Sequence, residues 1–171
     1  MQTMKISSTT GAEIVTTADA KSYIRIDTSD DDTIISDMIK QARIWCENYI
    51  SKDIVAKTRV LYMDIIKERI SLPFAPVSSI TSVTAQNITT TFESFGTDKE
   101  ILKLKELPAK DVLVTYSTTG LDDSLLKQAI LQLVSTYYDN RADFIVMQGV
   151  SYVQVPTGVK HILDSYKEPF I

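Results

Sequence analysis

The sequence predicts an α+β fold: a helical body, an antiparallel β insertion over about 54–117, and an extended C-terminal arm with a short helix. Three observations predict it. Two stretches, about 30–51 and 122–141, repeat apolar residues at the three-and-four spacing of amphipathic helices. The residues between them switch to β-branched and aromatic runs separated by turn formers. The end of the chain is apolar but punctuated by Gly149, Pro156 and Gly158. At 171 residues one domain is expected, with 16–51 and 121–141 as the helical body, 54–117 as the insertion and 142–171 as the arm.

Residues 1–15 are small and polar, so an extended or mobile start is expected. Thr16 and Thr17 can cap a short helix from Ala18 to about Arg25, with Ala20, Tyr23 and Ile24 on one side. The acidic run Asp27 to Asp32 ends it, and Ser29 or Asp30 caps the next helix. That second helix buries Ile35, Met38, Ile39, Ala42, Trp45, Cys46, Tyr49 and Ile50. Asp37, Lys40, Gln41, Arg43, Glu47 and Asn48 form its wet side.

Strands are expected within Ile54–Ile66, Glu68–Leu72, Ile80–Ala85, Thr89–Phe95, Ile101–Leu104 and Asp111–Ser117. Gln86 and Asn87 form a turn, while Pro73, Pro76 and Pro108 interrupt the ladders. Short links favour antiparallel pairing. Gly120 hands the chain to the long helix Leu121–Arg141, opened by Asp122, Asp123 and Ser124. Its rows Leu125/Leu126, Ala129/Ile130, Leu133/Val134 and Tyr137/Tyr138 bury more than a narrow seam, and the second helix is its natural partner. Val159 to Tyr166 reads as a short helix with Ile162, Leu163 and Tyr166 on one side.

The net charge of −4 argues against a protein whose main task is gripping phosphate backbones. One cysteine, Cys46, excludes an intramolecular disulfide and argues against a cysteine metal cage. No apolar run reaches the roughly 18 residues of a membrane span. The N-terminus lacks the apolar stretch of a signal peptide, so maturation in the cytoplasm is expected. Asp27, Ser29 and Asp31 have the alternate spacing of a calcium loop, but Asp32 and Met38 stand where that loop needs Gly and Glu. Helix capping explains these acids. His161 is the lone histidine, and no nearby Cys or Ser resembles an activated nucleophile. No glycine-rich phosphate loop is present. No enzyme class, cofactor or metal emerges.

The order of motifs resembles the head–tail connector proteins of long-tailed bacteriophages, also called adaptor or head-completion proteins. Thr17-Ala18-Asp19-Ala20-Lys21 with Arg25-Ile26-Asp27 is similar to the family's opening helix. Asp31-Asp32, Ala42-Arg43-Ile44-Trp45 and Tyr49 resemble its second helix. Leu72-Pro73 and Pro76-Val77 resemble its proline-marked strand junction. Val114-Thr115-Tyr116, Gly120, Lys127-Gln128-Ala129-Ile130-Leu131 and Tyr138-Asp139-Asn140-Arg141 form the most specific block. Val155-Pro156-Thr157-Gly158-Val159, Ile162-Leu163 and Tyr166-Lys167 are similar to its closing segment.

The resemblance implies a structural virion protein of the neck: a homo-oligomeric ring, usually dodecameric, bound to the portal protein. Such a ring extends the channel for double-stranded DNA and offers a platform for a stopper or tail-completion protein. An acidic chain suits a channel that passes DNA without holding it. The candidate partner-binding residues are Tyr152, Val153, Val155, Ile162, Leu163, Tyr166, Phe170 and Ile171 on the arm, the alternative being that the arm covers its own subunit; Arg141 is the candidate intersubunit residue, the alternative being a cap of its own helix carbonyls. The alternative is a DNA-binding module acting in genome packaging, which would need a basic face and steeply salt-dependent binding.

Overall fold

The structure is a computed structural model, and it describes residues 1–140 and 157–167. The chain divides into two compact units, residues 1–12 with 51–121, and residues 13–50 with 122–171.

The first unit holds the strands. In chain order they are β1 (Gln2–Thr9), β2 (Lys57–Ile66), β3 (Ile70–Ser71), β4 (Val77–Ala85), β5 (Ile88–Thr89), β6 (Phe92–Phe95), β7 (Ile101–Leu104) and β8 (Ala109–Thr118). One sheet has the order β1-β2-β8-β4-β5 and the other β3-β7-β6. Every strand pairing in them is antiparallel. Strand alternation turns Leu61, Val83, Val112, Val114 and Tyr116 of the larger sheet into one core with Ile70, Leu102 and Leu104 of the smaller. Gln86 and Asn87 both take positive φ, the conformation of a tight hairpin turn, and join β4 to β5.

Three passages of chain are tied together in this unit. The Thr10 and Gly11 N–H groups donate to the Ala56 carbonyl at 2.9 and 3.1 Å, and the Leu121 N–H donates to the Ile54 carbonyl at 3.0 Å. Gly120, at φ +77°, is the hinge of that contact: a Cβ there would lie 2.7 Å from the Ile54 oxygen.

The second unit holds α1 (Thr17–Ile24), α2 (Asp32–Ile50), α3 (Ser124–Asp139) and α4 (Thr157–Asp164). Thr16 caps α1 with a reciprocal capping box: its hydroxyl accepts from the Asp19 N–H while the Asp19 carboxylate accepts from the Thr16 N–H. Asp123 caps α3 by accepting from the Leu125 N–H at 2.8 Å. Helices α2 and α3 pack together, and α1 and α4 pack against both. Ile35, Ile39, Ala42, Cys46 and Ile50 meet Leu126, Ala129, Ile130, Leu133 and Val134 in the core, joined by Ala20, Val159 and Leu163.

Two expectations are corrected. The chain is a mixed α/β protein, richer in strands than expected, in place of a long-helix bundle body carrying an insertion. Residues 2–9 are extended, one of the two expectations for them; as β1 they pair into the sheet, so there are eight strands and four helices among the described residues. Arg43 and Glu47, expected on the wet side of α2, are buried. Spacing explains this second correction: Ile39, Arg43, Cys46, Glu47 and Ile50 follow one another at three and four residues and share one face.

Candidate functional site

Of the predicted partner-binding residues, Ile162, Leu163 and Tyr166 are described. Tyr152, Val153, Val155, Phe170 and Ile171 lie outside the described residues, as does the predicted intersubunit residue Arg141. Leu163 is wholly buried within its own unit, while Ile162 and Tyr166 are half-buried. Helix α4 is held by side-chain hydrogen bonds to both long helices. Tyr49 of α2 donates to Asp164 at 2.9 Å, and Tyr166 donates to the α3 cap Asp123 at 2.5 Å. The Lys167 ammonium sits 3.6 Å from the Tyr49 ring centre, and Tyr49 stacks on Trp45. The Tyr166 hydroxyl holds the Asp123 carboxyl below the usual carboxylate range, and Tyr49 does the same for Asp164.

Two charged groups buried in the structure were missed by sequence reasoning. In the strand unit Asp53, 0% exposed, accepts from Arg59 at 2.8 and 2.6 Å, from Lys57 at 2.9 Å and from Thr118 at 2.8 Å. The Arg59 guanidinium also lies 3.7 Å from the Phe74 ring centre. In the helical unit Arg43 bridges Glu13 at 2.8 Å and Glu47 at 2.7 Å. A signal for the first existed: Lys57, Arg59 and Leu61 alternate along one strand and so share the face that Leu61 buries.

Neither group is poised for chemistry. Burial pushes the Asp53 carboxyl up, but hydrogen bonds from Arg59 and Lys57 outweigh it and hold the carboxyl below its usual range. An ionised carboxylate gripped by two cations is a brace, with no lone pair aimed at a cleft. Cys46 is buried and its thiol is pushed up to about 12 by that burial, which makes it a poor nucleophile. Among the described residues no buried side-chain nitrogen or oxygen lacks a partner, and no cluster of three or more His, Cys, Asp or Glu could hold a metal. None of the described helices is long and apolar enough to cross a membrane.

The two units also expose apolar side chains. Tyr23, Ile34, Ile44 and Leu125 are exposed on the helical unit. On the strand unit all eight residues of β1 are exposed, including Met4 and Ile6, and Phe95 is exposed on β6. By sequence the strand unit carries ten Lys/Arg against eight Asp/Glu, and the helical unit eight against fourteen. The acidity of the chain therefore belongs to the helices.

The family model described as head completion protein matches residues 13–168. No curated protein matches. Among solved structures, the chain is similar to one in the neck of an empty gene transfer agent (GTA) particle with C6 symmetry. Identity there is 15%, with a TM-score of 0.75 and coverage of 99% of this chain and 97% of that one. It is also similar to a chain of the native GTA virion, at 15% identity, TM-score 0.74 and coverage of 98% and 96%. A third is in the neck of the native GTA particle with C12 symmetry, at 13% identity, TM-score 0.71 and coverage of 99% and 97%. At these identities the likeness is one of fold.

Proposed function

Because the chain belongs to the head completion protein family, we propose that it is a structural component of the virion neck. In this reading, copies of the chain close a ring between the portal and the tail. The observation that carries the reading is the family match over residues 13–168, and the fold shared along nearly the whole chain with GTA neck proteins supports it. The ring is dodecameric, extends the DNA channel and offers its far side to a stopper or tail-completion protein. The protein is not an enzyme, and its buried charges are spent on bracing.

The C-terminal arm is the portal-binding element. Leu163 roots α4 in its own unit, leaving Ile162 and the segments on either side of the helix for the partner. Arg141 pairs with an acid of the neighbouring copy. Averaged images of particles containing the protein test the reading. A cyclic density for this chain between portal and tail is expected, and its absence from that position would overturn the proposal. Ile162→Asp, which leaves the buried Val159 and Leu163 in place, should weaken portal binding, and unchanged binding would remove that face of the arm from the mechanism. Arg141→Ala should impair ring assembly.

A further inference from the structure

A cyclic ring needs a heterologous contact, in which two different patches of one surface meet across each interface. Among the described residues, the strand unit carries two unpaired strand edges that fit this demand. In β1, Asp64 N–H donates to the Met1 carbonyl at 3.1 Å. With the register Thr3↔Tyr62 and Lys5↔Val60, antiparallel alternation leaves the N–H and C=O groups of Gln2, Met4 and Ile6 facing away from β2. In β6, Lys105 N–H donates to the Thr91 carbonyl at 3.1 Å. With Glu93↔Lys103 and Phe95↔Ile101, the backbone groups of Phe92 and Ser94 face away from β7. The other edges are less regular: β3 and β5 are two residues long, and β4 shifts register twice along its length, whereas β1 shifts once, between Ile6 and Ser8.

Resting on the ring reading above, we propose that β1 of one copy pairs antiparallel with β6 of the next. Of the registers that satisfy both backbone edges, one also pairs their charges. Met4 lies opposite Ser94 and Ile6 opposite Phe92, each pair exchanging backbone hydrogen bonds. Lys5 then faces Glu93 in the intervening unbonded pair, where side chains approach most closely. Lys5 is the only charged residue of β1 and Glu93 the only one of β6, and the two are of opposite sign. Both are exposed, and neither makes an ion pair among the described residues. The apolar side chains agree as well. Ile6, 51% exposed, comes against the half-buried Phe92. A β1–β1 contact would instead be isologous and stop at a dimer.

The test uses the full-length protein with Lys5→Cys and Glu93→Cys together, oxidised gently and run without reductant, while native mass spectrometry reads the assembly. A ladder of multimers is expected from the double variant alone. An assembly of ring mass with no ladder overturns the strand pairing and leaves the ring reading standing. A protein that stays monomeric at every concentration overturns the strand pairing as a contact this chain makes by itself, and the particle images then decide the ring reading. Cross-linking by Lys5→Cys alone would mean β1–β1 pairing, and cross-linking of it to a chain of different mass in whole particles would give the edge to another protein. Either result overturns the proposal. Lys5→Glu should weaken assembly about fivefold, and adding Glu93→Lys should restore it. Failure of that restoration would overturn the register.

Discussion

Arg59 grips Asp53 with two parallel hydrogen bonds, Nε to Oδ2 at 2.8 Å and Nη2 to Oδ1 at 2.6 Å. Solvent reaches 5% of one side chain and 0% of the other. Lys57 and Thr118 complete the carboxylate's shell. Asp53→Ala would remove the buried carboxylate that Arg59 grips with two hydrogen bonds, so a loss of about 3–5 kcal/mol is expected. Urea denaturation followed by circular dichroism measures it. A midpoint within error of wild type would mean that water replaces the carboxylate without cost.

The same carboxylate sets a pH dependence. Its folded pKa is depressed, so its contribution is complete above the unfolded value of about 3.9 and is lost as pH falls through the folded value. Stability of the strand unit should fall on acidification below about pH 4, and Asp53→Asn should flatten that part of the curve. Urea midpoints measured from pH 5 down to pH 2 for both proteins would show it, and parallel curves would exclude Asp53 as the source.

Cys46 should be silent in the native protein. Its thiol is held up to about 12 by burial first and by the nearby Glu47 charge second. Iodoacetamide at pH 8 is expected to leave it unmodified and to label it fully in urea, as read by mass spectrometry. Rapid native labelling would mean that the α2–α3 core opens readily.

Local signals made much of the fold legible. Asp123 ahead of an apolar run announced α3, Thr16 announced α1, and Gln86-Asn87 announced the β4–β5 turn. β1 escaped because every residue from Gln2 to Thr9 is exposed. An edge strand with no buried face leaves no alternation to read. The pairing of Arg43 with Glu13, thirty positions apart, escaped for another reason: charged residues read as solvated until a partner brought from elsewhere pairs them. The resemblance to connector proteins named the family, whereas the exposed edges of β1 and β6 appear only once register is known.

Helix α4 should loosen in acid. Asp123 and Asp164 are both held below the usual range by tyrosine hydroxyls, so these contacts are intact above about pH 4 and weaken as pH falls through the folded values. Amide hydrogen exchange over residues 157–167 should rise between pH 4 and pH 2 beyond the intrinsic rate change. Tyr166→Phe should make α4 exchange faster already at neutral pH and shrink the acid response. An α4 that stays equally protected in both proteins would mean that Leu163 and Val159 alone hold it.

Two glycines should respond to alanine with opposite sign. Gly120 sits at φ +77°, and an added Cβ would lie 2.7 Å from the Ile54 oxygen and 2.8 Å from the Ala56 nitrogen, both backbone atoms that cannot rotate aside. Gly120→Ala is therefore expected to cost about 2 kcal/mol or more, the sum of a disfavoured conformation and a displaced chain passage. Gly158 lies in the first turn of α4, and its added Cβ would meet only the Gln132 side chain at 3.6 Å, an ordinary contact. Gly158→Ala removes unfolded-state freedom at a position already helical, so a gain of about 0.4–1 kcal/mol is expected. Differential scanning calorimetry reads both, at about 2–4 °C per kcal/mol for a chain of this size. A loss at Gly158 would mean that α4 seats too tightly for one methyl group. A neutral result at Gly120 would mean that the Ile54–Ala56 passage yields, which the hydrogen bonds from Leu121 and Gly11 to it argue against.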